Sequence, residues 1–198
     1  MKSPGIPRRS VLALALALAA CSTPPPHPIY PDIRFTAEPP IRLDVAAIDI
    51  RDDYRPPLRP PNVEHLFPVP PARALENWAR DRLQAAGKTG RALFTIGTAS
   101  ATETALPKTT TGITGALTTE PAYRYDLSIE AKLQILDDHG VPIRTSSVRT
   151  SRSQSVLEGI SPDERDKTWY DMTVAAMGDF DKQMAIEMGN NFGQFLLP

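Results

Sequence analysis

The run YRYDLSIEAKLQIL, residues 123–136, decides the fold. Tyr123, Tyr125, Leu127, Ile129, Ala131, Leu133 and Ile135 share one parity, and Arg124, Asp126, Ser128, Glu130, Lys132 and Gln134 share the other. Strict alternation over this length is a strand with one face in a core and one face in water. Asp137-Asp138-His139-Gly140 follows as a turn, and Ile143 to Leu157 returns as the partner strand of a hairpin. Upstream, Ala92–Ala99 (ALFTIGTA) reads as a short strand, joined to residue 123 by a Thr/Gly/Ala-rich loop over 100–121. That loop reads as a solvated hairpin extension, or else as a tip that touches a membrane or a membrane protein.

Two helices flank these strands. Pro71 sits where a first turn tolerates it, and Leu75, Trp78, Ala79, Leu83 and Ala86 recur at helical spacing up to a stop at Gly87. Ser161-Pro162-Asp163-Glu164 has the pattern of a capping box and opens a helix expected to reach about Met188. Its apolar face carries Trp169, Met172, Thr173, Ala176, Phe180, Met184 and Met188. Ile41–Ile50 (IRLDVAAIDI) reads as a first strand that bulges or changes face near Ala46-Ala47. The order is β-α-β-β-β-α. It predicts an α+β domain over 41–198, with two helices packed on one face of a four-stranded, mostly antiparallel sheet. A Pro-rich stretch between residues 56 and 71 is long for a compact domain, so it is functional or packed as ordered coil.

Few reactions are open to this chain. Its 198 residues carry 22 basic and 23 acidic side chains, which provide no footprint for nucleic acid. One Cys excludes an internal disulfide or a Cys-rich zinc site. His27, His65 and His139 have no partner at metal-ligand spacing, and His139 beside Asp137 and Asp138 reads as turn chemistry. There is no G-x-S-x-G elbow, no S-x-x-K, and no Lys after Gly112-Ile113-Thr114-Gly115. Asp49, Asp52 and Asp53 read as groups that solvate a strand exit, with an acid pair as the alternative. No catalytic residue, metal ligand or cofactor is assigned, and no enzymatic activity is expected. The candidate binding residues are Arg144, Arg149 and Arg152, the only charges of IRTSSVRTSRSQSV (143–156). They read either as protection of an edge strand or as a basic stripe for an anionic head group, glycan or partner.

The N-terminus is an address. Lys2, Arg8 and Arg9 precede the apolar run Val11–Ala20, which is half the length needed to cross a bilayer. Leu18-Ala19-Ala20-Cys21 resembles the bacterial lipobox, and the single Cys occupies the lipidated position. The alternative is an ordinary secretory signal with an incidental Cys. Pro7–Leu12 also resembles a twin-arginine export motif, and Ser22 resembles an outer-membrane sorting signal. Cleavage before Cys21 removes three positive charges and leaves 19 basic against 23 acidic residues, a net of −4. Residues 21–40, with Pro at 24, 25, 26, 28, 31, 39 and 40, are expected to run as a polyproline tether.

A lipobox followed by this element order resembles small envelope lipoproteins. Examples are the lipopolysaccharide-assembly lipoprotein and the auxiliary lipoproteins of ABC-type lipid transporters. The resemblance implies a membrane-anchored protein on the periplasmic face, at the outer rather than the inner membrane. It also implies attachment through acyl chains on Cys21 and an envelope protein as partner, in a non-enzymatic accessory or assembly role. A lipid-, glycan- or peptidoglycan-binding module is the alternative, and an envelope hydrolase a more distant one.

Overall fold

A computed structural model describes residues 28–107 and 120–198. The signal segment, Cys21 and the tether as far as residue 27, and the Gly112–Gly115 run lie outside the described residues. The expected α+β architecture is present: a four-stranded mixed sheet with both helices on one face.

The strands are β1 (Ile41–Leu43), β2 (Ala47–Asp52), β3 (Leu83–Ala85), β4 (Arg91–Ala105), β5 (Pro121–Leu136) and β6 (Pro142–Leu157). The helices are α1 (Pro71–Arg82) and α2 (Pro162–Asn191). The main sheet has the order β2-β4-β5-β6, with β2 parallel to β4 and the other pairs antiparallel. The odd-numbered side chains of β5 from Tyr125 to Ile135 are buried, as their alternation requires. Trp78 of α1 packs on Phe94 of β4 and Phe180 of α2, with ring centroids 5.4 and 5.1 Å away. One aromatic knot thus joins both helices to the sheet. A second stacks Phe67 on Trp169 at 4.9 Å, with Tyr125 edge-on to the same indole.

The long C-terminal helix starts on the expected capping box: the Ser161 hydroxyl accepts from the Glu164 amide, and the Glu164 carboxylate accepts from the Ser161 amide. Every residue assigned to its apolar face is buried.

Three boundaries differ from the sequence reading, and one strand is more buried than its polar composition suggests. The first strand is two strands in different sheets. β1 pairs with β3, β2 pairs with β4, and the break falls at residues 44–46, where the Ala46 amide donates to the Thr89 and Gly90 carbonyls. The first helix stops at Arg82, because Leu83–Ala85 pair with β1 and the Ala86 and Gly87 amides donate to Leu43 and Val45 carbonyls. The few tenths of a kcal/mol per residue of helix preference in Leu-Gln-Ala-Ala are outweighed by a ladder that also buries Leu83. The strand expected to end at Ala99 continues to Ala105. A bulge between Ile96 and Thr98 switches which parity faces inward, from Ala92, Phe94 and Ile96 to Ala99 and Ala101, and so hides the second half from a period-2 reading. Finally, β6 buries part of one face despite its Ser, Thr and Arg composition. Ser146, Val148, Thr150 and Val156 are buried, and the Thr150 hydroxyl donates to the Ala176 carbonyl of α2 at 3.1 Å. Small hydroxyl residues let the helix lie close to the strand while keeping their polar atoms satisfied.

Part of the expected tether is also docked. Ile33 is buried, its carbonyl accepts from the Asn77 side chain, and Arg34 and the Phe35 amide both donate to Asp81 of α1. Residues 30–39 therefore run as a strap along α1. The second Pro-rich stretch is ordered coil. It turns through a short 3₁₀ segment, Glu64–Leu66, and bonds to the outer part of β4 at Ala101 and Glu103.

Candidate functional site

β6 is an edge strand, and α2 runs beneath it. Along their seam lie three cavities, each containing one of the arginines singled out in the sequence. Arg152 lines a cavity of about 440 Å³ with Thr168, Asp171 and Met172 of α2. Arg149 lines one of about 190 Å³ with Gln183 and Ile186. Arg144 lines one of about 490 Å³ with Thr145, Asn190, Asn191 and Gln194.

Strand parity keeps the three from forming a single stripe. Arg149 belongs to the solvent face, where its Nε donates to Glu130 of β5 at 2.9 Å. Arg152 is on the helix-side parity and pairs with Asp179 of α2. Arg144 shares that parity, and its guanidinium donates to its own neighbour's carbonyl, that of Ile143, at 2.7 Å. Two of the three thus have carboxylate partners at the surface, where such pairs contribute little to stability. The Arg144 cavity has a distinct chemistry: a guanidinium and three carboxamides and no carboxylate among its lining residues. Such a set suits a ligand rich in oxygen acceptors, a phosphate or a run of sugar hydroxyls.

The solvent face of the sheet is polar throughout its central part. Thr98, Glu130 and Arg149 form one cross-strand row; Ser100, Ser128 and Ser151 form the next; Thr102, Asp126 and Ser153 a third. Asp126 accepts from the Ser153 hydroxyl and from Arg124, and the first of these bonds does most to hold its carboxyl below the usual range.

The other residues considered in the sequence have structural employment. Asp49 pairs with Arg91 and Asp53 with Arg51, while Asp52 accepts from the Tyr54 amide. The Asp137 carboxylate accepts from the His139 and Val141 amides, closing the β5–β6 turn. Among the described residues no group of three or more His, Cys, Asp or Glu side chains could hold a metal ion. Among them, too, no helix is long and apolar enough to cross a membrane.

Sequence reasoning missed Glu64. Its carboxylate is buried and accepts from the Tyr54 hydroxyl at 2.8 Å, the Ala101 amide at 3.1 Å and the Asn62 side chain at 3.3 Å. Burial first, and then this acceptor, push the Tyr54 phenol well above its ordinary value. With three donors satisfied, Glu64 fastens the Pro-rich coil to β4. No sequence signal marks it, because an isolated Glu between Val63 and His65 looks like any exposed loop acid.

No family model matches the chain, and no curated protein is similar to it in sequence. Among solved structures, a lipoprotein candidate from Caulobacter crescentus CB15 is similar at 11% identity, over 61% of this chain and 78% of that one, with a TM-score of 0.35. A minor lipoprotein from Acinetobacter baumannii is similar at 9% identity, over 71% of this chain and 93% of that one, with a TM-score of 0.34. Similarity at this level carries no argument about activity or partners.

Proposed function

We propose that this chain is a bacterial envelope lipoprotein, held on the periplasmic face of the outer membrane by acyl chains on Cys21. Its domain works there as a non-enzymatic accessory or assembly subunit. One observation carries the reading: the only Cys of the chain stands at the lipidated position of Leu18-Ala19-Ala20-Cys21, directly after a short apolar run. Two or more acyl chains hold a protein on a bilayer where one would not. The docked strap supports the same reading, since it ties the segment following Cys21 to the body of the domain.

Palmitate labelling of the intact chain and of Cys21→Ser in a bacterial host tests the anchor. Label and membrane fractionation are expected in the first and lost in the second; an unlabelled, water-soluble wild type overturns the proposal. Crosslinking in membranes, followed by co-purification, tests the accessory role, which is overturned if the acylated protein is recovered without an envelope partner.

A second reading, a glycan- or lipid-head-group-binding module, is favoured by the Arg144 cavity with its carboxamides and lack of acid. Co-sedimentation with isolated peptidoglycan sacculi and with lipopolysaccharide, lost in Arg144→Glu, is its expected signature. Equal sedimentation of both proteins, or of neither, removes it.

A further inference from the structure

The chain reaches its domain at one defined end. The Tyr30 hydroxyl donates to the Asp163 carbonyl in the first turn of α2 at 3.3 Å, and its ring lies 5.0 Å from that of Tyr170. The strap then runs from this end along α1, through Arg34 on Asp81, to Pro39, whose carbonyl accepts from Arg82 at the helix's last turn. The start of α2 adjoins the last residues of β6. By register these lie beside the start of β5 and the end of β4: Leu157 is opposite Pro121, and Tyr123 is opposite both Ala105 and Val156.

Exposed apolar side chains gather at the same end. Of the nine large hydrophobic residues that are exposed among the described residues, five belong to it: Ile29, Leu58, Leu66, Tyr123 and Leu157. Leu58 and Leu66 are placed there by the Pro-rich coil, which bonds to β4 at Ala101 and Glu103. The remaining four are elsewhere: Val141 and Ile143 at the opposite end, beside the β5–β6 turn, and Val174 and Ile186 along α2. Single exposed leucines need no explanation, but an apolar cluster at one end does. Leu58 is the sharpest case. It is 63% exposed and holds a φ of +56°, a left-handed conformation that Gly or Asn adopts at much lower cost. A strained turn thus displays an alkyl side chain to the outside.

Eight residue steps separate Cys21 from Ile29, a reach of at most about 28 Å even if fully extended. The strands behind this end are longer: the 16 residues of β6 span roughly 50 Å.

We propose that this end of the domain rests on the bilayer, with Leu58, Leu66, Tyr123 and Leu157 in its interfacial layer and the β5–β6 turn standing away from it. The inference depends on the lipid anchor proposed above. At this end of the fold the charges are mixed: Arg124 of β5 and Arg165 of α2 stand with Glu103 of β4, Glu158 just after β6, and Asp163 and Asp166 near the start of α2. The contact is therefore apolar rather than an attraction to anionic lipid, and neutral phosphatidylcholine suffices.

The test uses the full-length acylated protein in phosphatidylcholine vesicles. Acylation occupies the Cys21 sulfur, so one introduced cysteine, at Leu58, Leu157, Ile143 or Ile186, is the only thiol for a polarity-sensitive fluorophore. All four positions are exposed, and their substitution leaves the core intact. Fluorophores at 58 and 157 are expected to be blue-shifted, quenched by lipid-borne nitroxide, and several-fold less quenched by aqueous iodide than those at 143 and 186. Equal iodide access at all four, with mass spectrometry showing an acylated Cys21, overturns the membrane-facing end and leaves the lipoprotein reading standing. A free Cys21 thiol in protein taken from membranes overturns both.

Discussion

Two glycines show how differently one residue type is used. A Cβ on Gly87 would lie 2.3 Å from the Asp44 carboxylate, 2.5 Å from the Asp44 carbonyl carbon and 2.6 Å from the Val45 nitrogen. The backbones of two segments cross there, and no side-chain motion relieves the clash. Gly87→Ala is expected to destabilise the fold by about 1–3 kcal/mol, read as a lower urea midpoint with an unchanged slope. Gly178, inside α2, has open space around a new Cβ, so Gly178→Ala is expected to stabilise by about 0.5–1 kcal/mol in the same measurement. The sequence reading of Gly87 as a helix stop was reasonable by local rules. The residue is needed instead for the close approach of a segment more than forty residues earlier. Glu64 belongs to the same class of long-range fact. Glu64→Ala strands the Tyr54 hydroxyl, the Asn62 amide and the Ala101 N–H, at a cost of about 1–3 kcal/mol. Denaturation that leaves its stability unchanged would show that water replaces the carboxylate freely.

Among the elements, α1 and α2 meet through the Trp78–Phe180 ring contact and through one shared carboxylate. Asp181 accepts from the Trp78 indole and from Arg82, each at 2.8 Å, and Arg82 is buried. Asp181→Ala leaves the buried Arg82 guanidinium with the Pro39 carbonyl but without its carboxylate, and the Trp78 indole N–H without its acceptor. The expected loss is about 3 kcal/mol, the lower end for breaking a buried pair. Asp181→Asn keeps an acceptor oxygen and should lose less; equal losses from the two variants would refute this account of the pairing. The β6–α2 contact is built differently, from Thr150 and Ser146 rather than from large apolar groups. That choice lets a strand rich in Ser, Thr and Arg pack against a helix. Hydroxyl residues read as exposed when their acceptors, here a helix carbonyl more than twenty residues later, are not in view. The clean alternation of β5 has no such dependence and was legible residue by residue. The capping box of α2 was equally legible, because all its atoms lie within one turn.

For the molecule as a whole, the strap of residues 30–39 is the part most open to conditions. The Asp81 carboxyl is held below its ordinary value, chiefly by the Arg34 hydrogen bond, with the Phe35 amide adding to it. A depressed folded-state pKa contributes stability that is complete above the unfolded value, near 3.9, and is lost as pH falls through the folded one. Acidification below about pH 4 is therefore expected to loosen the strap while the sheet persists. Hydrogen exchange at the Phe35 amide reports it, and protection that stays constant across that window would count against the idea. The sequence by itself determined the two-layer α+β class, the half-buried central strand and the amphipathic helices. All of these depend on spacings within a few residues, where the backbone's own periods convert pattern into structure. Only the tertiary structure decided the split of the first strand, the early end of α1, the docking of the strap, the division of the three arginines among separate cavities and the end at which apolar side chains collect. Each of these is a contact between segments distant in the chain, and no local period encodes which distant backbone will offer the hydrogen bond or the burial that wins.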